Sequence, residues 1–124
     1  MTEVGIVIVS HSKWIAQGLV DLISEVAKDI VLTYVGGTED GGIGTSFEQV
    51  QTVVEANKAE KILAFFDLGS ARMNLELVAD FSDKDIIINN VPIVEGAYTA
   101  AALLQAGADL ATIQGQLKEL EIKK

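Results

Sequence analysis

The sequence has no cysteine, one histidine, one proline and one tryptophan, and half as many Lys and Arg residues as Asp and Glu. Each shortage removes a class of explanation. Without cysteine there is no disulfide, no thiolate nucleophile and no thiolate-bound metal, an inventory that fits a cytoplasmic protein. A lone histidine leaves only carboxylates as further metal ligands, so no metal site is expected. Nine basic against eighteen acidic residues give a net charge of −9. That is the wrong sign for a chain that must neutralise nucleic-acid phosphates. No apolar stretch approaches the roughly 18 residues of a membrane span. The N-terminus carries Glu3 and no basic run, so it does not read as a secretory signal. An acidic balance suits steered docking to a basic protein face, although it serves solubility equally well.

What is present is a chain of 124 residues, 49% hydrophobic, enough for one domain over 1–124 with a substantial core. Four apolar runs stand out: Val4 to Val9, Ile30 to Val35, Lys61 to Phe66 and Asp85 to Ile88. They are nearly continuous and rich in Ile, Val and Phe, as strands covered on both faces require. Amphipathic stripes lie between them. One is Ile15, Leu19, Leu22, Ile23 and Val26; another is Phe47, Val50, Val53 and Val54; a third is Leu75, Leu77, Val78 and Phe81. Pro92, expected in a first helical turn, precedes a small-residue helix that stops near Gly107. A last stripe, Leu110, Ile113, Leu117 and Leu120, leads to Lys123 and Lys124, which favour a helix C-terminus. The order β-α-β-α-β-α-β-α-α predicts an α/β fold, a mainly parallel sheet with helices on both faces and right-handed crossovers.

In such folds the ligand sits at the carboxyl ends of the strands, near the switch point. Four loops should therefore converge: Ser10 to Ser12, Gly36 to Ser46, Asp67 to Asn74 and Asn89 to Pro92. In the second, Gly41, Gly42 and Gly44 precede Thr45 and Ser46, at a helix start where free N–H groups attract phosphate. Ser46 with Gln49, or Thr45 with Glu48, has capping-box spacing, so an ordinary turn and cap is the competing reading. It is no nucleotide P-loop, because Ile43 stands where the lysine would be. Asp67 can bind metal, cap a helix or orient a histidine; capping by Asp67 or Ser70 is the common outcome. Arg72 is either a phosphate contact or a solvated helix residue.

His11 stands at the end of the first strand. A satisfied polar group at a helix start would be unremarkable there. A Ser-His-Asp array with Ser10, Ser12 or Ser70 is conceivable, but no G-x-S-x-G elbow occurs. The remaining role is nucleophile: a neutral imidazole accepts a phosphoryl group on one nitrogen while a carboxylate holds the other N–H. Asp67 can supply that carboxylate. Thr45, Ser46 and the N–H groups of Gly42 to Ser46 can face the phosphoryl oxygens.

VIVSHS, GGIGTSFEQV, FDLGSARMN and NNVPIVEGAYTAA, spread over nearly the whole chain, resemble the mannose-type enzyme IIA family of the phosphotransferase system. Within it they most resemble the phosphotransfer subunits of phosphoenolpyruvate-dependent dihydroxyacetone kinases. FDLGSARMN and VEGA are the specific parts, since a sugar-transporter enzyme IIA carries a WGGSP-like stretch after its aspartate. The resemblance implies that His11 is phosphorylated by the histidine-containing phosphocarrier protein. It then passes the phosphate to ADP held with magnesium on a nucleotide-binding kinase subunit, for transfer to dihydroxyacetone on another. It implies further that Asp67 orients His11, that Gly41 to Ser46 face the phosphate, and that the chain pairs as a homodimer. No cofactor is expected on this chain, and neither nucleic acid nor membrane as a partner. Some relatives continue into phosphocarrier-like and enzyme I-like domains; a chain ending at Lys124 is expected to use a separate phosphocarrier. The alternatives are a sugar-specific enzyme IIA, a non-catalytic interaction domain that kept the fold, and a small hydrolase using His11 and Asp67.

Overall fold

The computed structural model describes residues 3–124. Its elements alternate as β1 (Val4–Ser10), α1 (Lys13–Ser24), β2 (Val31–Gly36), α2 (Phe47–Ala56), β3 (Lys61–Phe66), α3 (Gly69–Phe81), β4 (Asp85–Asn89), α4 (Ile93–Gln105) and α5 (Leu110–Lys118). All three strand pairings are parallel, and the sheet order is β2-β1-β3-β4. The chain moves from β1 outward to β2, then crosses back to the far side of β1 to lay down β3. The switch point lies between β1 and β3, the two central strands, so the loops leaving them part and open a crevice at their carboxyl ends.

The central strands show why their sequences look unbroken. Ile6, Ile8, Leu63 and Phe65 face one layer with Leu19 and Ile23 of α1, Ala97 and Ala100 of α4, and Ile113 and Leu117 of α5. Val7, Val9, Ile62, Ala64 and Phe66 face the other, with Val50 and Val54 of α2 and Ala71, Leu75 and Val78 of α3. Alternate residues point to opposite faces, and both faces are covered, so every position must be apolar. The structure is a single α/β domain with a four-stranded parallel sheet between two helical layers, as the sequence implies.

The helical stripes need correction in detail. In α1 the buried line is Ala16, Leu19 and Ile23, while Ile15, Leu22 and Val26 are exposed. The helix is rotated toward its small residue because β2 ends directly beneath it. A Cβ on Gly36 would come within 2.5 Å of the Ser12 carbonyl oxygen and 2.8 Å of Ala16 Cβ. Only a glycine against an alanine lets strand and helix approach so closely. In α3, Leu75 and Val78 are buried, but Leu77 and Phe81 are exposed, with Phe81 meeting Phe47 edge-on at the surface. Pro92 is the N-cap of α4 rather than its first helical residue. The last helix ends at Lys118, so Lys123 and Lys124 lie beyond it. That tail returns toward the sheet, the N–H of Ile122 donating to the Asn90 carbonyl at 2.9 Å.

Candidate active site

β1 and β3 run side by side in register from Val4 opposite Lys61 to Val9 opposite Phe66. The next residues, Ser10 and His11 on one strand and Asp67 on the other, are thereby brought together at the switch point. Asp67 accepts four hydrogen bonds, two on each oxygen. Oδ1 takes the His11 ring Nδ1–H at 2.8 Å and the Leu68 N–H at 2.7 Å. Oδ2 takes the Ser10 hydroxyl at 2.8 Å and the His11 backbone N–H at 2.9 Å. Ser10, buried behind the pair, in turn accepts the Ser12 N–H at 3.1 Å. Burial by itself would raise the Asp67 pKa; the hydrogen bonds from His11, Ser10 and Leu68 outweigh it and hold the carboxyl below its ordinary value. Asp67 is therefore an anion at neutral pH, an acceptor only, and the ring nitrogen facing it must carry the proton.

That choice of tautomer leaves a lone pair on His11 Nε2. The atom next to it is Ser70 Oγ, at 2.5 Å, and in this tautomer the hydroxyl donates. Ser70 is the second residue of α3. The helix starts at Leu68, which caps it without any side-chain hydrogen bond, so neither Asp67 nor Ser70 acts as its N-cap. The uncapped first-turn N–H groups and the positive end of the helix dipole lie beside the imidazole. The sequence raises Ser70 only as a cap or a triad member; its position three residues past Asp67 in DLGS is the signal that places it over the ring.

The glycine loop reaches the site through its backbone. Gly44, at φ +146, donates its N–H to the His11 carbonyl at 2.9 Å, which ties the loop to the end of β1. The Gly42 N–H is used within the loop, by Thr38 Oγ1 at 3.1 Å and Asp40 Oδ1 at 3.0 Å. Ser46 is the N-cap of α2 and accepts the Gln49 N–H at 3.3 Å. Thr45 Oγ1 accepts Asn74 Nδ2–H at 3.3 Å, which joins the loop to α3 and leaves the threonine proton free to donate elsewhere. Gly42, Gly44 and Ser46 thus all have internal duties, and Thr45 is the loop hydroxyl with a donor to spare. Arg72, on the same helix as Ser70, has a buried Nε without a hydrogen-bond partner.

The segments that carry these groups also carry large exposed apolar side chains. Trp14, Ile43, Leu68 and Met73 are 74%, 78%, 60% and 62% exposed. Each lies within three residues of His11, Gly44, Asp67 or Ser70. Lys13 sits over the Trp14 ring, 5.0 Å from its centroid.

The arrangement can hold a nucleophilic nitrogen, stabilise the positive charge its ring gains on attack, and present donors to an incoming anion. Its Asp-His-Ser connectivity is also that of a serine hydrolase. Among the described residues, however, no non-glycine residue has positive φ. Ser70 thus lies in an ordinary first helical turn, without the strained turn that exposes a nucleophilic serine.

Comparison with known proteins places the chain in a family. Residues 5–114 match the family described as the phosphotransferase system (PTS) fructose IIA component. The chain is 59% identical to the Lactococcus lactis PTS-dependent dihydroxyacetone kinase, phosphotransferase subunit DhaM, over 97% of this chain and 98% of that protein. It is 51% identical to a Listeria innocua PEP-dependent dihydroxyacetone kinase phosphoryl donor subunit, over 96% of each. A crystal structure of a protein of unknown function superposes with a TM-score of 0.84 at 29% identity, covering 98% of this chain and 97% of that one. The chain belongs to the mannose- and fructose-type IIA family of the phosphotransferase system, in its branch of dihydroxyacetone kinase phosphotransfer subunits.

Proposed function

We propose that this chain is the phosphoryl carrier of a phosphoenolpyruvate-dependent dihydroxyacetone kinase. His11 Nε2 accepts a phosphoryl group from the histidine-containing phosphocarrier protein. It delivers that group to ADP held, with magnesium, on the nucleotide-binding kinase subunit, and the resulting ATP phosphorylates dihydroxyacetone on the companion subunit. This chain binds no cofactor of its own in the cycle, which runs in the cytoplasm between a homodimer of this chain and its partners.

The observation that carries the reading is the 2.8 Å bond from His11 Nδ1–H to Asp67 Oδ1. It fixes the tautomer before the donor arrives, so no proton need move for Nε2 to attack. As the N–P bond forms, the ring becomes cationic and the Asp67 anion beside it stabilises that charge. Ser70 exchanges its bond to Nε2 for one to a phosphoryl oxygen. The first turn of α3 supplies further N–H groups to the same oxygens. Thr45 is the member of the glycine loop placed to add a hydroxyl. The reverse sequence releases the group, and the exposed apolar rim gives both partners a surface to seal against water.

The test is transfer in both directions. The chain is incubated with phosphoenolpyruvate, enzyme I and the phosphocarrier protein, and its intact mass is read beside that of His11→Ala. One acid-labile phosphate on the wild type alone is expected. Addition of the ADP-loaded kinase subunit then removes it. Retention of the label there, with loss to a sugar-specific membrane component instead, points to the sugar enzyme IIA reading. Labelling of His11→Ala would contradict the site.

A further inference from the structure

The tail after α5 is exposed from Glu121 to Lys123, yet Lys124 is half-buried. Its approach is set two residues earlier by the bond from Ile122 N–H to the Asn90 carbonyl at the end of β4. The side chain then reaches across the carboxyl edge of the sheet to β3. Its Nζ donates to the Phe66 carbonyl at 2.5 Å and lies 4.1 Å from the centroid of the Phe66 ring. Phe66 is the last residue of β3, and that carbonyl belongs to the peptide group leading into Asp67. An ammonium is thus fastened to the hinge on which the histidine-orienting carboxylate stands.

Beyond the Phe66 carbonyl and ring, the Lys124 ammonium has no paired anion among the described residues. Among the described residues the salt bridges within 4.0 Å are His11 with Asp67 and Lys61 with Asp85, so no carboxylate is paired directly with Lys124. Burial lowers its pKa, and the longer-range attraction of Asp67 works the other way. A partly desolvated cation without an ion-pair partner is costly unless the neighbourhood is, or becomes, negative. Phosphotransfer makes it so. The N–P bond on the donor breaks as the bond to His11 Nε2 forms; the donor nitrogen keeps the electron pair, and the Nδ1 proton stays between His11 and Asp67. The transferred unit brings one net negative charge, and its oxygens face a site that already holds the Asp67 anion.

We propose that Lys124 is a positioning residue for phosphotransfer, which holds the end of β3 beneath Asp67 and balances the negative charge the site gains when His11 is phosphorylated. The proposal rests on the phosphohistidine reading given above. It places a functional cation on the C-terminal tail, outside every strand-end loop.

Two measurements on the full chain test it. The first is the equilibrium of phosphoryl exchange with the phosphocarrier protein, read by intact mass for wild type, Lys124→Met and Lys124→Arg. Lys124→Met is expected to shift the equilibrium about three- to tenfold toward the phosphocarrier, as loss of one nearby partly screened charge implies. Lys124→Arg restores most of it. An unchanged equilibrium in Lys124→Met, or an equal shift in both variants, overturns the proposal. The second needs no partner protein. Potassium phosphoramidate phosphorylates the single histidine chemically, and NMR follows the titration of the Lys124 side chain with and without the label. The ammonium is expected to titrate at higher pH in the phosphorylated chain; an unchanged titration overturns the proposal. If the phosphocarrier leaves the wild type unlabelled, the relay reading fails by itself, and the second measurement still decides the role of Lys124.

Discussion

The two oxygens of Asp67 grip one residue in two places: Oδ1 lies 2.8 Å from the His11 ring nitrogen Nδ1, and Oδ2 lies 2.9 Å from the His11 backbone nitrogen. The carboxylate therefore fixes the position of the histidine, the direction of its ring and its tautomer together. Asp67→Asn keeps an acceptor oxygen and much the same shape but removes the negative charge beside the ring. Phosphotransfer to His11 is predicted to fall by roughly a hundredfold or more, in line with the loss of an orienting carboxylate elsewhere. Rapid-quench transfer from the labelled phosphocarrier measures it. A wild-type rate in Asp67→Asn would remove the orienting role.

The same contacts make a statement about acid stability. The Asp67 pKa is lowered in the folded chain, while an unfolded aspartate titrates near 3.9. A depressed pKa contributes stability that is complete above the unfolded value and is lost as pH falls through the folded one. Urea midpoints of the wild type are predicted to drop as pH falls from about 5 toward 2. The gap between wild type and Asp67→Asn is predicted to narrow over that range. A constant gap would show that the contacts do not favour the anion.

Ser70 Oγ touches His11 Nε2 at 2.5 Å, yet Ser70 is exposed and caps nothing. Ser70→Ala is predicted to leave the unfolding free energy within about half a kcal/mol of the wild type, as surface changes usually do. Transfer is predicted to slow by about tenfold, the cost of one hydrogen-bond donor to the transferring group. Single-turnover rates measure it. A Ser-His-Asp array would make the opposite use of this residue, as the nucleophile. An acyl adduct on Ser70 after exposure to an activated ester would favour that reading.

Asn57 is the buried side chain on which the architecture leans. Its Nδ2 donates to the Ile6 carbonyl of β1 at 3.0 Å and to Thr33 Oγ1 of β2 at 3.2 Å, and its Oδ1 accepts the Ala59 N–H at 3.0 Å. It thereby joins the turn after α2 to two strands. Asn57→Ala orphans buried polar groups and is predicted to cost about 1–3 kcal/mol of stability. A urea denaturation curve measures it, and an unchanged midpoint would contradict the account. Transfer by the folded fraction is predicted to be unchanged, because Asn57 lies away from the carboxyl edge.

The order of elements was legible because a parallel sheet buried on both faces leaves an unmistakable trace, unbroken Ile, Val and Phe runs between amphipathic segments. The element order alone leaves the strand order open; the chemistry of a nucleophilic histidine suggested Asp67 as its partner, and the sheet order β2-β1-β3-β4 brings the two strand ends together. What could not be read depends on contacts between distant elements. A helical stripe marks residues that are able to be buried, but the close passage of Gly36 under Ala16 decides that Ile15 and Leu22 stay outside. GGIGTS offers N–H groups in abundance; only the structure shows that those of Gly42 and Gly44 are already in use and that Ser70, in the first turn of α3, touches the ring. Lys124 reads in sequence as a helix-ending lysine, because nothing local reveals that the tail turns back to β3.

The most direct test is whether the one histidine takes a phosphate, and on which ring nitrogen. The chain is labelled with ring-¹⁵N histidine and phosphorylated by the phosphocarrier protein, and coupling between phosphorus and each ring nitrogen is recorded by NMR. Phosphorus on Nε2 and a proton retained on Nδ1, shared with Asp67, are the expected result. Phosphorus on Nδ1, or a chain that takes no phosphate, would contradict it.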